Sequence, residues 1–180
     1  MADNQETTTL GDPGTLDADV YGGDPGGEDA LQLVSFEIGR EEYAVPIIAV
    51  REINRMMPIT RVPHGPPAVE GVINLRGRII PVINLRARFG LDEADHHPDT
   101  RIVVVEVGND GRVIGFTVDR VHEVLRLDAN IVDPAPTAGC VADTSYIRGV
   151  GKLEDRLLVL LDLERLFTPE DFVDAHAHAA

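Results

Sequence analysis

The sequence predicts an all-β chain of many short strands and a few short helices. Short apolar segments alternate with glycine, proline and aspartate, a spacing that is typical of small barrels and sandwiches. A pattern that recurs in both halves of the 180-residue chain indicates two lobes of similar plan. Only the two ends lack this pattern, so we expect the folded part at residues 31–168.

The strands are predicted from apolar segments that are bounded by glycine, proline or polar residues. Asn84 is expected to cap a short helix that ends near Phe89, and Asp162 to cap a turn that ends near Phe167. Residues 47–53 fit either a short helix or a continuing strand, because periodicity does not decide between them. The predicted strands cover residues 31–38, 43–46, 69–75, 78–82, 102–107, 112–118, 121–127, 147–153 and 156–161.

An internal repeat relates the two halves. Residues 71–89 align with residues 149–167 at a constant offset of 78. Two barrels of this size would each bury too little surface to be stable alone, so we expect them to share an apolar interface, with a division near residues 92–100. The matching positions include Gly71 with Gly149, Arg78 with Arg156, Phe89 with Phe167, and Val50-x-Glu52-Ile53 with Val121-x-Glu123-Val124.

The charge is concentrated at the ends of the chain. The net charge is −15, and residues 1–30 contain eight acidic residues and no Lys or Arg. Residues 1–30 are predicted to be a disordered acidic tail, and residues 169–180 a tail or a short helix. The folded part is nearly balanced in charge, which argues against a nucleic-acid partner, because nucleic acids need clustered Lys and Arg.

The chain lacks the signals of a membrane or secreted protein. It contains no apolar run of about 18 residues and no signal peptide, so direct membrane insertion is not expected. The single cysteine, Cys140, cannot form an internal disulfide, which fits a reducing compartment. We therefore expect a cytoplasmic protein.

The sequence offers no catalytic or metal-binding pattern. His96 and His97 fall in a polar loop, and His176 and His178 in the C-terminal tail, without metal-ligand spacing. These histidines are expected to be solvated. The chain also has no P-loop, no G-x-S-x-G and no Cys-x-x-Cys. We predict no catalytic residue, no metal and no cofactor.

Residues 71–90, with the sequence G-V-I-N-L-R-G-R-I-I-P-V-I-N-L-R-A-R-F-G, give the most specific similarity. Together with F-E-I-G-R-E-E-Y-A-V-P at 36–46 and Y-I-R-G-V-G-K-L at 146–153, they resemble the chemotaxis coupling proteins, the CheW-like family. The resemblance extends over residues 31–168 in order, without large gaps.

The resemblance implies two five-stranded SH3-like β-barrel lobes that share an apolar core, with short helices. It also implies a non-catalytic adaptor without a cofactor, located at membrane receptor arrays through its partners. Those partners would be the regulatory domain of a chemotaxis histidine kinase and the cytoplasmic tip of a chemoreceptor. Two alternatives remain: the same adaptor in a receptor–kinase pathway unrelated to motility, or a small-barrel enzyme or ligand-binding protein.

The resemblance also assigns receptor contact to five positions. Arg76 lies at a predicted hairpin tip, where its guanidinium suits a carboxylate on a partner helix; alternatively, it binds a carboxylate of its own chain. Glu52 would form one edge of a helix-binding groove; alternatively, its apolar neighbours are core and Glu52 faces water. The five positions are Val50, Glu52, Ile53, Gly71 and Arg76.

Overall fold

A computed structural model describes residues 30–135, 144–169 and 171. Within these ranges the chain forms eleven β-strands, two one-turn α-helices and two 3-10 turns at Ile47–Ala49 and Ala129–Ile131. The helices are α1 (Leu85–Arg88) and α2 (Leu163–Leu166). The strands are β1 (Ala30–Ile38), β2 (Glu41–Pro46), β3 (Val50–Arg55), β4 (Val69–Leu75), β5 (Arg78–Asn84), β6 (Arg101–Val107), β7 (Arg112–Val118), β8 (Arg120–Asp128), β9 (Val132–Pro134), β10 (Ile147–Lys152) and β11 (Leu157–Leu161).

The strands form two sheets of the same plan. One sheet has the order β3-β6-β7-β5-β4 and the other β8-β1-β2-β11-β10-β9. The internal repeat matches β3, β6, β7, β5 and β4 with β8, β1, β2, β11 and β10, in that order. The two sheets therefore have the same strand order. The six-stranded lobe has the short strand β9 in addition. The prediction of an all-β fold with two SH3-like lobes is confirmed.

The two halves of the chain exchange their first hairpins. The β1–β2 hairpin of the first half pairs with β8 and β11, and the β6–β7 hairpin of the second half pairs with β3 and β5. Residues 92–100, where the sequence predicted the boundary between lobes, join two strands of the five-stranded sheet. The lobes are therefore not divided there, because each contains strands from both halves.

A shared apolar core lies between the two sheets. It takes side chains from both, including Phe36 and Val45 on one side and Val103 and Phe116 on the other. Each lobe also has a smaller cluster of its own, around Leu33 in the six-stranded lobe and around Ile102 in the five-stranded lobe. Full burial of each large apolar side chain stabilises the fold by about 1.5–3 kcal/mol, so the shared core fixes the lobes together.

Aromatic rings link the lobes through this core. Phe36 contacts Phe116 with ring centroids 5.4 Å apart, and Phe116 contacts Phe167 at 5.7 Å. On the other side, Tyr43 stacks on Phe89 at 5.0 Å. Burial of the Tyr43 side chain raises the pKa of its hydroxyl to about 12, with smaller contributions from nearby acidic groups. The rings therefore form a continuous packed path across the interface.

Asp119 stabilises the junction between β7 and β8, where the chain passes from the five-stranded sheet to the six-stranded sheet. Its carboxylate accepts hydrogen bonds from Gly39 N and from Arg86 Nη1, both at 2.7 Å. Its own amide donates to the Glu37 carbonyl at 2.9 Å. One carboxylate thus holds together the β1–β2 turn, α1 and the β7–β8 junction.

The short helices begin where the sequence predicts. The Asn84 side chain accepts from Ala87 N, and the Asp162 side chain accepts from Glu164 N and Arg165 N, as N-caps do. Residues 47–53 contain both predicted alternatives, a 3-10 turn followed by the start of β3. The predicted acidic tail, Cys140 and the two C-terminal histidines lie outside the described residues. No helix among the described residues is long and apolar enough to cross a membrane.

Gly71 and Gly149 occupy equivalent positions that have no room for a side chain. A Cβ atom at Gly71 would lie 2.3 Å from the Thr60 carbonyl oxygen, and one at Gly149 would lie 2.7 Å from the Asp133 carbonyl oxygen. At both positions a neighbouring segment runs directly over the glycine. The repeated glycines are therefore explained by packing.

We expect Gly71→Ala and Gly149→Ala each to lower the free energy of unfolding by about 1–3 kcal/mol, because the added methyl group meets backbone atoms that cannot move aside. Gly65→Ala is the control, since its Cβ would have only ordinary contacts, the nearest at 3.5 Å. Urea denaturation of the three variants measures the effect. Equal stability of all three would contradict the packing explanation.

Candidate functional site

The candidate site lies at the end of the five-stranded lobe, where the tip of the β4–β5 hairpin meets the edge strand β3. A β-bulge interrupts β3 at Arg51: Val50 pairs with Val105, and Glu52 pairs with Val104. The Arg51 guanidinium is bound by the Glu106 carboxylate on the neighbouring strand. The bulge therefore changes the direction in which the side chains after Arg51 point.

The bulge places the predicted residues of β3 on two faces. Directly paired residues of an antiparallel sheet share a face. Val50 and Ile53 pair with Val105 and Val103, whose side chains belong to the shared core. Glu52 pairs with Val104, whose side chain belongs to the lobe's own cluster. Glu52 and Ile53 thus point to opposite sides of β3.

Arg76 is held at the hairpin tip by an unusual backbone conformation. Arg76 and Gly77 both have positive φ, at 52° and 81°, as the two central residues of a type I′ turn do. The Asn74 side-chain oxygen accepts from Gly77 N at 2.9 Å and stabilises the turn. The Arg76 side chain is consequently projected away from the sheet, with 81% of it exposed.

An ion pair joins Arg76 to Glu52. Arg76 Nη1 lies 2.8 Å from Glu52 Oε2, and the Glu52 side chain is only 18% exposed. The other carboxylate oxygen, Oε1, accepts from Asn54 Nδ2 at 2.6 Å. Both oxygens of Glu52 are therefore engaged inside the chain, whereas the guanidinium keeps donors that face solvent. Arg76 is the charge that a partner would meet, and Glu52 sets its orientation.

The remaining predicted residues have different environments. Ile53 is 40% exposed on β3. Val50 is half-buried against the shared core. Gly71 is buried beneath Thr60, so its contribution is to hold the segment that covers it. The structure thus brings Glu52 and Arg76 into contact and places Ile53 on the other face of the same strand.

One further residue contacts this site, and two exposed isoleucines lie near it in the sequence, although the sequence did not single them out. Asn54 fixes the Glu52 carboxylate. Ile79, on the same hairpin as Arg76, exposes 50% of its surface, and Ile48, just before β3, exposes 60%. Ile79 opens an uninterrupted apolar run, so alternation gives no signal that it faces outward. Ile48 lies in a segment whose structure the periodicity left open.

The equivalent end of the six-stranded lobe has a similar plan but a different charge. Arg156 binds Glu42 at 2.6 Å and Glu123 at 2.9 Å, and Val124 and Leu157 are exposed. The negative charge of Glu42 is the main cause that raises the pKa of the Arg156 guanidinium. Here Arg156 is surrounded by carboxylates, whereas Arg76 keeps an exposed positive face.

His96 is an exposed loop residue, as the sequence predicted, but it also contacts another part of the chain. Its Nε2 lies 2.6 Å from Glu70 Oε1, so it ties the loop at 91–99 to β4. The structure, over the residues that it describes, contains no group of three or more His, Cys, Asp or Glu side chains that could hold a metal ion.

The comparisons with known proteins all indicate the same family. The sequence matches the CheW-like domain family over residues 32–171. Chemotaxis protein CheW of Helicobacter pylori is 40% identical over 140 residues, 77% of this chain and 82% of that protein. Chemotaxis protein CheW of Klebsiella aerogenes is 37% identical over 140 residues, 78% of this chain and 83% of that protein.

A solved structure agrees with the sequence matches. The crystal structure of the scaffolding protein TtCheW from Thermoanaerobacter tengcongensis superposes with a TM-score of 0.69 at 38% identity, covering 76% of this chain and 91% of that chain. Both the fold and the sequence identity over most of each chain lead to the same conclusion. The chain belongs to the CheW-like family.

Proposed function

We propose that this protein is a non-catalytic adaptor that couples chemoreceptors to a chemotaxis histidine kinase. Family membership supports this role, as does the description of the structural neighbour as a scaffolding protein. The observation that carries the proposal for the site is the Arg76–Glu52 ion pair, in which Arg76 is exposed and Glu52 is covered. Such an arrangement suits recognition of another protein.

The receptor partner would be a helix of the chemoreceptor's cytoplasmic tip. Glu52 holds the guanidinium in one orientation, so a carboxylate on the helix would meet donors that are already positioned. Two exposed aliphatic side chains, Ile53 on the other face of β3 and Ile79 on the hairpin that carries Arg76, would supply apolar contact area. The charge sets the register of the helix, and the apolar contacts contribute most of the binding energy.

The kinase partner would be the regulatory domain of the histidine kinase. Receptor contact at the end of one lobe leaves the surface of the six-stranded lobe accessible to a second protein. Because the shared core joins the lobes rigidly, a shift imposed at one surface would be passed on as a change in geometry between the partners. The protein would act in the cytoplasm, at receptor arrays, through these two contacts.

Arg76→Ala should weaken binding of a receptor signalling fragment about tenfold while leaving kinase binding largely intact, because it removes the exposed guanidinium. Glu52→Ala should weaken receptor binding less than Arg76→Ala does, since Glu52 acts by orienting Arg76. Pull-down and titration against the receptor fragment and the kinase measure both effects. Arg126→Ala, an exposed arginine on the six-stranded lobe, is the matched control. Normal receptor binding by both site variants would show that the site is misassigned.

The double variant Arg76→Glu with Glu52→Arg separates recognition from internal stabilisation. It keeps an ion pair within the chain but reverses the charge that a partner meets. We expect the free energy of unfolding to return to the wild-type value within about 0.5 kcal/mol, while receptor binding stays weak. Restoration of receptor binding together with stability would mean that the ion pair serves only the fold.

A further inference from the structure

The two lobes end in surfaces that correspond to each other under the internal repeat. Each surface consists of an edge strand and the tip of a hairpin: β3 with the β4–β5 tip in the five-stranded lobe, and β8 with the β10–β11 tip in the six-stranded lobe. In both, an ion pair joins the tip to the edge strand. The bulge of β8 lies at the position equivalent to that of β3, between the pairs Val121–Phe36 and Val124–Val34. The two ends therefore share one architecture.

Exposed aliphatic side chains occupy equivalent positions at the two ends. Ile53 on β3 is 40% exposed, and its equivalent on β8, Val124, is 59% exposed. Beside the hairpin tips, Ile79 is 50% exposed, and its equivalent Leu157 is 60% exposed. Apolar side chains therefore do not distinguish one end from the other.

The hairpin tips differ in charge. The β4–β5 tip has the sequence N-L-R-G-R, whereas the β10–β11 tip has K-L-E-D-R. Arg76 thus corresponds to Glu154, and Gly77 corresponds to Asp155, at the offset of 78. Both acidic side chains are exposed. A partner of the six-stranded end would meet negative charge where a partner of the five-stranded end meets a guanidinium.

The arginine of the six-stranded tip does not offset these acids, because its guanidinium is engaged within the chain. Arg156 Nε lies 2.6 Å from Glu42 Oε2, Nη2 lies 2.9 Å from Glu123 Oε1, and Nη1 lies 3.3 Å from Asp155 Oδ1. Arg76, in contrast, makes one ion pair and leaves 81% of its side chain exposed. A carboxylate that approaches the six-stranded tip is therefore repelled by like charges.

The backbone of the two tips differs as well. Arg76 and Gly77 both have positive φ, whereas neither Glu154 nor Asp155 does. The Asn74 side chain stabilises the first turn by accepting from Gly77 N, and Lys152 stands in its place at the second tip. The second tip thus lacks the turn that projects Arg76 away from the sheet.

We propose that the charge of the hairpin tip confines the receptor helix to the five-stranded lobe, and that Glu154 and Asp155 exclude it from the equivalent end of the six-stranded lobe. This inference rests on the proposed function. A helix that presents a carboxylate gains a charge-assisted hydrogen bond at Arg76 and meets repulsion at Glu154. Discrimination between two surfaces of the same build needs such a repulsive group, because their apolar contacts are alike.

The test transfers the tip of the five-stranded lobe to the six-stranded lobe. Lys152→Asn, Glu154→Arg and Asp155→Gly together give the second tip the sequence N-L-R-G-R. The full chain is titrated with a helical chemoreceptor-tip fragment by calorimetry and amide NMR. We expect wild type to bind one fragment and the triple variant two, the second within about tenfold of the affinity of the first. The new contact should shift the amides of Val124 and Leu157.

Glu164→Arg is the matched control, since it makes the same change in net charge at another exposed acidic residue of the same lobe. It should leave the stoichiometry at one fragment per chain. Glu154→Gln with Asp155→Asn decides the matter even if the triple variant fails to fold, because it removes the repulsion without placing an arginine or a glycine in the turn. This neutral variant should show weak shifts at Val124 on addition of the fragment.

The inference is overturned if wild type binds the fragment at Gly77 while the folded tip variants keep a single site and leave Val124 and Leu157 unshifted. It is also overturned if Glu164→Arg gains a second site, since net charge alone would then decide binding. Absence of any shift at Gly77 in wild type would instead overturn the proposed function, and this inference with it.

Discussion

The apolar core between two exchanged hairpins is the constraint on which the rest of the structure depends. Phe36 enters it from one sheet and Phe116 from the other, and their rings are in contact. Neither lobe can be completed without strands from the other half of the chain, so the lobes cannot move apart without unfolding. This explains how two small barrels, each with a modest cluster of its own, make a stable adaptor.

The geometry of the candidate site follows from that constraint. Because β6 is fixed in the core, the edge strand β3 is fixed as well, and its bulge at Arg51 determines which residues face outward. The type I′ turn then brings Arg76 to Glu52 from the far side of the lobe. A rigid frame of this kind presents a charge at a defined place, which is what the proposed partner helix would require.

The sequence could predict the elements that depend on neighbouring residues, such as the hairpins and the helix caps at Asn84 and Asp162. It could not predict the exchange of hairpins, because strand partners are chosen by contacts distant in sequence. The three-residue strand β9 was missed since Val-Asp-Pro has the composition of a turn. For the site, family resemblance proposed Arg76 and Glu52, and the alternative that Arg76 binds a carboxylate of its own chain is what the structure shows. That this carboxylate is Glu52, and that Ile53 points to the opposite side, depends on a bulge that leaves no signal in composition.

The most direct test of receptor binding at the Arg76 end of the five-stranded lobe is chemical-shift mapping of the isotope-labelled full chain on addition of an unlabelled helical fragment of a chemoreceptor tip. We expect shifts at the Gly77 and Ile53 amides and at the Arg76 side-chain Nε, with the other lobe little changed. Shifts confined to the opposite end, around Val124 and Arg156, with none at Gly77, would contradict it.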